Sequence, residues 1–196
     1  MNELVFFSYN RYKIEEVKEL LDIDELKILT LKDFSKTNEP EEIGDTFDKN
    51  AAIKSKFGFK KFGLPCFADD SGICISALNN QPGVRSKRFQ EENGGFHKTF
   101  EIIINATKQN KNFDAFFQTT VALTTGKKST FYFKGIVQGK ISYKPLGRYG
   151  FHYDPIFIPS RTNKTYAQML PKEKNIISHR AIAINKLKKF LEKLLN

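Results

Sequence analysis

Apolar and polar positions along the chain follow two periods. Leu4-Val5-Phe6-Phe7 is a short unbroken apolar run, the pattern of a strand buried on both faces. After a polar turn, Ile14, Val17, Leu20 and Leu21 recur at helical spacing and predict a helix with one apolar face. A second helix is expected to start near Thr46, with Phe47, Ala51 and Phe57 along its stripe. Asn50 and Lys54 lie beside that stripe, one turn apart. Residues 64–68 and 73–78 read as two short strands broken at Asp69-Asp70-Ser71-Gly72, and residues 96–106 carry a helical apolar pattern. Residues 113–123 and 129–137 flank Thr124-Thr125-Gly126-Lys127-Lys128, which predicts a hairpin. The final helix carries Ala183, Leu187, Phe190, Leu191 and Leu194, with Ser178 as its N-cap. Strands and helices alternate early and a hairpin comes late. The expectation is an α/β fold, a mixed sheet with flanking helices forming two lobes around a central substrate cleft. No repeat or linker divides the sequence, so residues 1–196 are read as a single domain.

Composition fits that outline. A chain of 196 residues, 40% hydrophobic and 28% charged, suits one soluble domain that buries roughly 70% of its unfolded surface. Its longest apolar runs fall far short of the ~18 residues of a membrane span, and no basic segment followed by a long apolar stretch marks a secretory signal. The two cysteines, Cys66 and Cys74, have neither a zinc spacing nor a disulfide framework, so a reducing cytoplasm is expected. The net charge of +10 is unevenly placed, at −2 over residues 1–98 and +12 over residues 99–196. A basic half suits a polyanion, though a solvated lysine-rich surface is the plainer explanation.

Four segments carry candidate chemistry. Ser8-Tyr9-Asn10-Arg11-Tyr12-Lys13 joins the first strand to the first helix, where backbone N–H groups attract anions and Arg11 and Lys13 add positive charge. It lacks the glycines of a phosphate loop and, alone, is equally an ordinary turn. Asp69-Asp70-Ser71-Gly72 is rich in turn formers. With Glu41-Glu42 upstream, however, it provides carboxylates from two segments, as a Mg²⁺ site uses together with water and substrate phosphates. Ser178-His179-Arg180 puts cations at a helix start, against the macrodipole, which a bound anion would reverse. Lys172-Glu173-Lys174, just upstream of that helix start, reads as the same site's rim or as a solvated loop. Gly150-Phe151-His152-Tyr153-Asp154-Pro155 offers aromatic faces and an acid that could hold a planar base, and alone is equally a tight turn with core aromatics.

Taken in order, these segments resemble the inosine triphosphate pyrophosphatase family over nearly the whole chain. The matching pieces begin with Glu42-Ile43-Gly44-Asp45-Thr46-Phe47 followed by Asn50-Ala51, then Ala68-Asp69-Asp70-Ser71-Gly72. Pro82-Gly83-Val84-Arg85-Ser86 with Arg88-Phe89 comes next, then Phe151-His152-Tyr153-Asp154-Pro155 and Ile177-Ser178-His179-Arg180. The resemblance implies a homodimer that uses Mg²⁺ to hydrolyse ITP, dITP and XTP to the monophosphate and pyrophosphate, with no nucleic-acid or membrane partner. It implies phosphate contacts from Ser8, Tyr9, Asn10, Arg11, Tyr12 and Lys13, a triphosphate contact from Lys54, and a substrate contact from Ser71. Asp70 matches the acid of metal binding and water activation, supported by Asp69, and Glu42 or Glu41 the upstream metal carboxylate. Phe151, His152, Tyr153, Asp154, Lys174, His179 and Arg180 match the residues that hold the base and neighbouring phosphates. Two positions depart from the family pattern. The first turn has Tyr9 where Gly is usual, and the aromatic motif has His152 where Gly is usual. Two other readings stand beside this one, a nucleic-acid-binding protein using the basic half and a septum-associated type of nucleotide pyrophosphatase with other substrates.

Overall fold

The computed structural model describes residues 2–35 and 37–195, and those residues form two compact units. The first comprises the chain up to Asp70, Thr119–Gly135 and the residues from Arg180 onward; the second comprises Ser71–Gln118 and Ile136–His179.

In the first unit, strand β1 (Glu3–Phe6) pairs in parallel with β2 (Lys27–Thr30), Glu3 opposite Lys27, and with the start of β3 (Cys66–Ile75), Val5 opposite Cys66. Parallel strands need helices on both faces, and the period-2 alternation of side chains provides for it. Leu4, Phe6 and Phe67 point into a cluster with Ile14 and Val17 of helix α1 (Arg11–Leu20) and Leu187 and Leu191 of α6 (His179–Leu195). The intervening residues Val5, Phe7, Cys66 and Ala68 pack instead with Phe57, Phe59 and Phe62 of α2 (Phe47–Phe62). The helix starts are fixed by side chains, Asn10 accepting from the Lys13 N–H at 3.2 Å and Thr46 from the Lys49 N–H at 3.2 Å.

The second unit holds the end of β3, which pairs antiparallel with β4 (Gln81–Pro82), Cys74 opposite Pro82. Helices α3 (Ser86–Glu92), α4 (Phe96–Gln109) and α5 (Pro171–Ile177) belong to it. The hairpin strands β5 (Asp114–Gly126) and β6 (Ser129–Ile141) contribute residues to both units, and β6 pairs antiparallel with β7 (Phe157–Pro159), Gly139 opposite Pro159. Ile73, Phe100, Ile103, Phe117, Ile156 and Phe157 form the second unit's core. Among the described residues the strand order is β2-β1-β3-β5-β6-β7, with β4 beside β3, so the sheet is mixed and helix-flanked as expected. No described helix is long and apolar enough to cross a membrane.

The expected break at Asp69-Asp70-Ser71-Gly72 is absent, because β3 runs unbroken through it. Turn formers favour turns when water solvates their side chains, whereas Asp69 and Asp70 are 2% and 5% exposed and held by partners within the fold. Gly72 serves a packing need there, since a Cβ would sit 2.1 Å from the Gly83 carbonyl oxygen.

Candidate active site

Alternation along β3 sends its two acidic side chains to opposite faces of the first unit. Asp69 has the parity of Phe67 and meets the helix layer of α1 and α6. Lys13 Nζ lies 2.9 Å from its Oδ2, and Arg180 Nη2 lies 3.5 Å from the same oxygen. Arg180 also pairs with Glu16 and is buried, so the cation that opens α6 against the dipole is answered by two protein carboxylates. Asp70 has the parity of Ala68 and meets α2, where Asn50 Nδ2 donates to its Oδ2 at 3.2 Å. One turn along, Lys54 donates to Glu42 Oε1 at 2.7 Å, and the Asn50 side-chain oxygen accepts from the Gly44 N–H at 2.7 Å. Asn50 thus ties the loop that carries Glu42 to the strand that carries Asp70.

Electrostatics separates the two neighbours. Burial opposes ionisation of Asp69, but Lys13, then Arg180 and Lys54, outweigh it and hold the carboxyl well below the usual range. At Asp70 burial dominates and the nearby Glu42 charge adds to it. Lys54, Lys13 and Asn50 compensate only partly, so the carboxyl is pushed up to about 6. Burial works against the Glu42 carboxylate too, yet Lys54 leaves it below its usual value, while burial lowers the Lys13 ammonium despite Asp69. Lys54 remains raised because Asp70, Glu42 and Asp69 together outweigh its own burial.

The remaining residues of the first turn divide. Ser8 is buried and accepts from the Asn10 N–H at 3.2 Å. The Tyr9 hydroxyl donates to the Thr37 carbonyl at 2.7 Å and accepts from its N–H at 3.0 Å, which pins the bulky side chain to a neighbouring loop. Arg11 pairs in solvent with Glu15, and Tyr12 and Glu41 are exposed.

In the second unit, Gly150 at φ 73° makes the turn that lets Asp154 fold back, and a Cβ there would lie 2.1 Å from Asp154 Oδ2. That oxygen accepts from the Phe151 N–H at 2.8 Å and from Lys174 Nζ at 2.7 Å, with both charged side chains buried. Lys174 Nζ also lies 4.5 Å from the Phe151 ring centre and 5.6 Å from that of Tyr166. The half-buried Phe151 ring, backed by a cation, is suited to stacking on a flat base. His152 adopts φ 56°, the backbone region that favours glycine, and its ring packs against Phe151 at 5.1 Å and Phe96 at 5.7 Å. Tyr153 is a core residue, its hydroxyl donating to the Ser86 carbonyl at 2.6 Å, and Ser71 is half-buried. The buried His179 stacks on Phe117 with ring centres 4.5 Å apart.

Two residues join the expected set. Glu16 follows Lys13 by three positions in α1, so helical spacing already put it on the same face. Asn50 stood out in sequence as a polar residue beside a stripe and as part of a matching family segment, with no role in the site assigned to it. Among the described residues, no group of three or more His, Cys, Asp or Glu is arranged to hold a metal alone. The donors fit Mg²⁺ in its usual form, one or two carboxylates completed by water and phosphate, because Asp70 is buried without full charge compensation and senses Glu42.

A family model, that of the Ham1 family, matches residues 4–190. The dITP/XTP pyrophosphatase of Flavobacterium johnsoniae is 37% identical over 185 residues, 94% of this chain and 95% of that protein. That of Christiangramia forsetii is 36% identical over 191 residues, 97% of this chain and all of that protein. The solved structure of a Ham1 protein from Coxiella burnetii superposes with a TM-score of 0.89 at 36% identity, covering 98% of this chain and 100% of the other.

Proposed function

Because this chain belongs to the Ham1 family, we propose that it hydrolyses ITP, dITP and XTP to the nucleoside monophosphate and pyrophosphate, removing aberrant purines from the nucleotide pool. The observation that carries this reading is the adjacent buried pair Asp69 and Asp70. One is locked as an anion by Lys13 and Arg180, and the other has a carboxyl pushed up to about 6. A carboxylate near neutrality can take a proton in the reaction, whereas a fully compensated one organises the cations around it.

In the first unit, Glu42 and Asp70 would hold Mg²⁺, which when bound neutralises phosphate charge. Asp70 accepts, at a carboxylate oxygen, the proton of the water that attacks the α-phosphorus. The bond from that phosphorus to the α–β bridging oxygen breaks, and pyrophosphate leaves with the bonding electrons. Lys13 and Lys54 face that growing charge, and phosphoryl chemistry depends on such placement more than on covalent help from the protein. Ser8, Asn10 and the helix start that Asn10 caps are assigned to the phosphates. In the second unit, Phe151 with Lys174 behind it is assigned to the purine ring, and Asp154 fixes both. The same reading carries a homodimer working in the cytoplasm.

Incubating the purified protein with ITP, XTP, GTP and ATP, with and without Mg²⁺, and assaying pyrophosphate tests this reading. Pyrophosphate from ITP and XTP in the presence of Mg²⁺, with little from GTP or ATP, is the expected result. Equal turnover of all four, or orthophosphate as the first product, contradicts it.

A further inference from the structure

Helix α2 carries Asn50 and Lys54 in its first half, while the packing of Phe57, Phe59 and Phe62 against β1 and β3 anchors its second half. The contact of α2 with β5 is an alanine seam, in which Ala51 and Ala52 meet Ala122 with no side-chain atoms beyond Cβ to interdigitate. A helix that slips by one residue moves about 1.5 Å and turns about 100°, enough to carry Asn50 away from Asp70.

Hydroxyl contacts bracket that seam. Two residues before Ala122, Thr120 Oγ1 donates to Asp48 Oδ1 at 2.7 Å; two residues after it, Thr124 Oγ1 and Ser55 Oγ lie 2.9 Å apart. Thr120, Ala122 and Thr124 share one face of β5, because strand side chains alternate. The contact order, 48 with 120, 51 and 52 with 122, 55 with 124, shows that α2 runs in the same direction as the strand. From Asp48 to Ser55 the helix rises about 10.5 Å, and from Thr120 to Thr124 the strand rises about 13 Å. Two directional contacts that far apart fix both the slide and the rotation of the helix.

We propose that Asp48–Thr120 and Ser55–Thr124 form a register lock that sets Asn50 and Lys54 against Asp70 and Glu42, making these four residues positioning residues for the hydrolysis. The proposal rests on the reading of Asp70 and Lys54 given above, but the lock is a feature of the helix and can be read apart from it. Neither threonine is the sole partner of the α2 side chain it meets. Ser55 also reaches the Ala52 carbonyl at 3.3 Å, Thr124 the Thr130 hydroxyl at 3.2 Å, and Asp48 the Lys134 ammonium at 3.4 Å. Valine in place of either threonine therefore leaves no orphaned donor or acceptor on α2.

The test compares Thr120→Val/Thr124→Val with Thr120→Ser/Thr124→Ser, which keeps the hydroxyls, for kcat and KM on ITP per folded molecule. The lock predicts that the valine pair loses about tenfold or more in kcat with KM within about threefold, since small misplacements are costly to the reacting geometry. It predicts that the serine pair keeps most of the wild-type kcat. A valine pair within about twofold of wild-type kcat, or a serine pair that loses as much as the valine pair, overturns it. If the valine pair does not fold, the single Thr124→Val variant is read by the same criteria. Should wild-type protein release no pyrophosphate from ITP, the functional reading fails on that arm alone. The lock is then decided by amide hydrogen exchange across residues 48–55, where faster exchange in the valine pair supports it and unchanged exchange overturns it.

Discussion

At Asp70 the folded protein binds its proton more tightly than the unfolded chain, at about 6 against an ordinary value near 4. Stability therefore falls as pH rises through that window and stays reduced above it. Asp70→Asn removes the conflict. In Mg²⁺-free buffer at pH 7.5 urea unfolding should show it more stable by about 2–3 kcal/mol, a gain that disappears near pH 4, while turnover of ITP falls by about 10² or more. Asp69 has the opposite sign. Its carboxyl is held low, so its contribution is present above about pH 4 and is lost as the solution is acidified below that. Asp69→Asn leaves Lys13 and the buried Arg180 short of a counter-charge, and the same urea titration should show a loss of about 3–5 kcal/mol. The local sequence pattern does not distinguish these neighbours, and the family resemblance alone singles out Asp70 as the acid. The difference arises from strand alternation, which turns one toward Lys13 and Arg180 and the other toward Asn50.

Elements with strong periodicity were legible at once. The first strand and helix, the helix beginning after Thr46 and the late hairpin all lie where the apolar spacing places them. Strand β3 departs from the expected break because local preference at Asp-Asp-Ser-Gly favours a turn, whereas partners distant in sequence, such as Arg180, hold the segment within the strand. The loop from Gly150 to Asp154 shows the converse, since its composition announced a tight turn and the structure has one, but the buried Lys174 that completes it looked like a rim or a solvated residue. Lys174→Met should strand the Asp154 carboxylate, lowering stability by about 3–5 kcal/mol. Lys174→Met/Asp154→Leu should recover most of that loss in thermal melting. Because the Phe151 N–H and the cation behind its ring are both released, the double variant should keep a raised KM for ITP.

For the molecule as a whole, the uneven charge proved a partial guide. Several cations of the basic half are exposed on α6, whereas Lys174 and Arg180 are buried against Asp154, Asp69 and Glu16. In the acidic half, Lys13 and Lys54 are likewise paired with the carboxylates, so each unit interleaves the charges that net values separate. Such an arrangement suits a substrate with several phosphates and a metal ion, in which neither sign can be left uncompensated. The central claim is that water attacks the α-phosphorus. Hydrolysis of ITP with Mg²⁺ in ¹⁸O-labelled water, followed by ³¹P NMR, tests it most directly. The account predicts IMP that carries the ¹⁸O, with unlabelled pyrophosphate; label in pyrophosphate, or IDP with labelled orthophosphate, would contradict it.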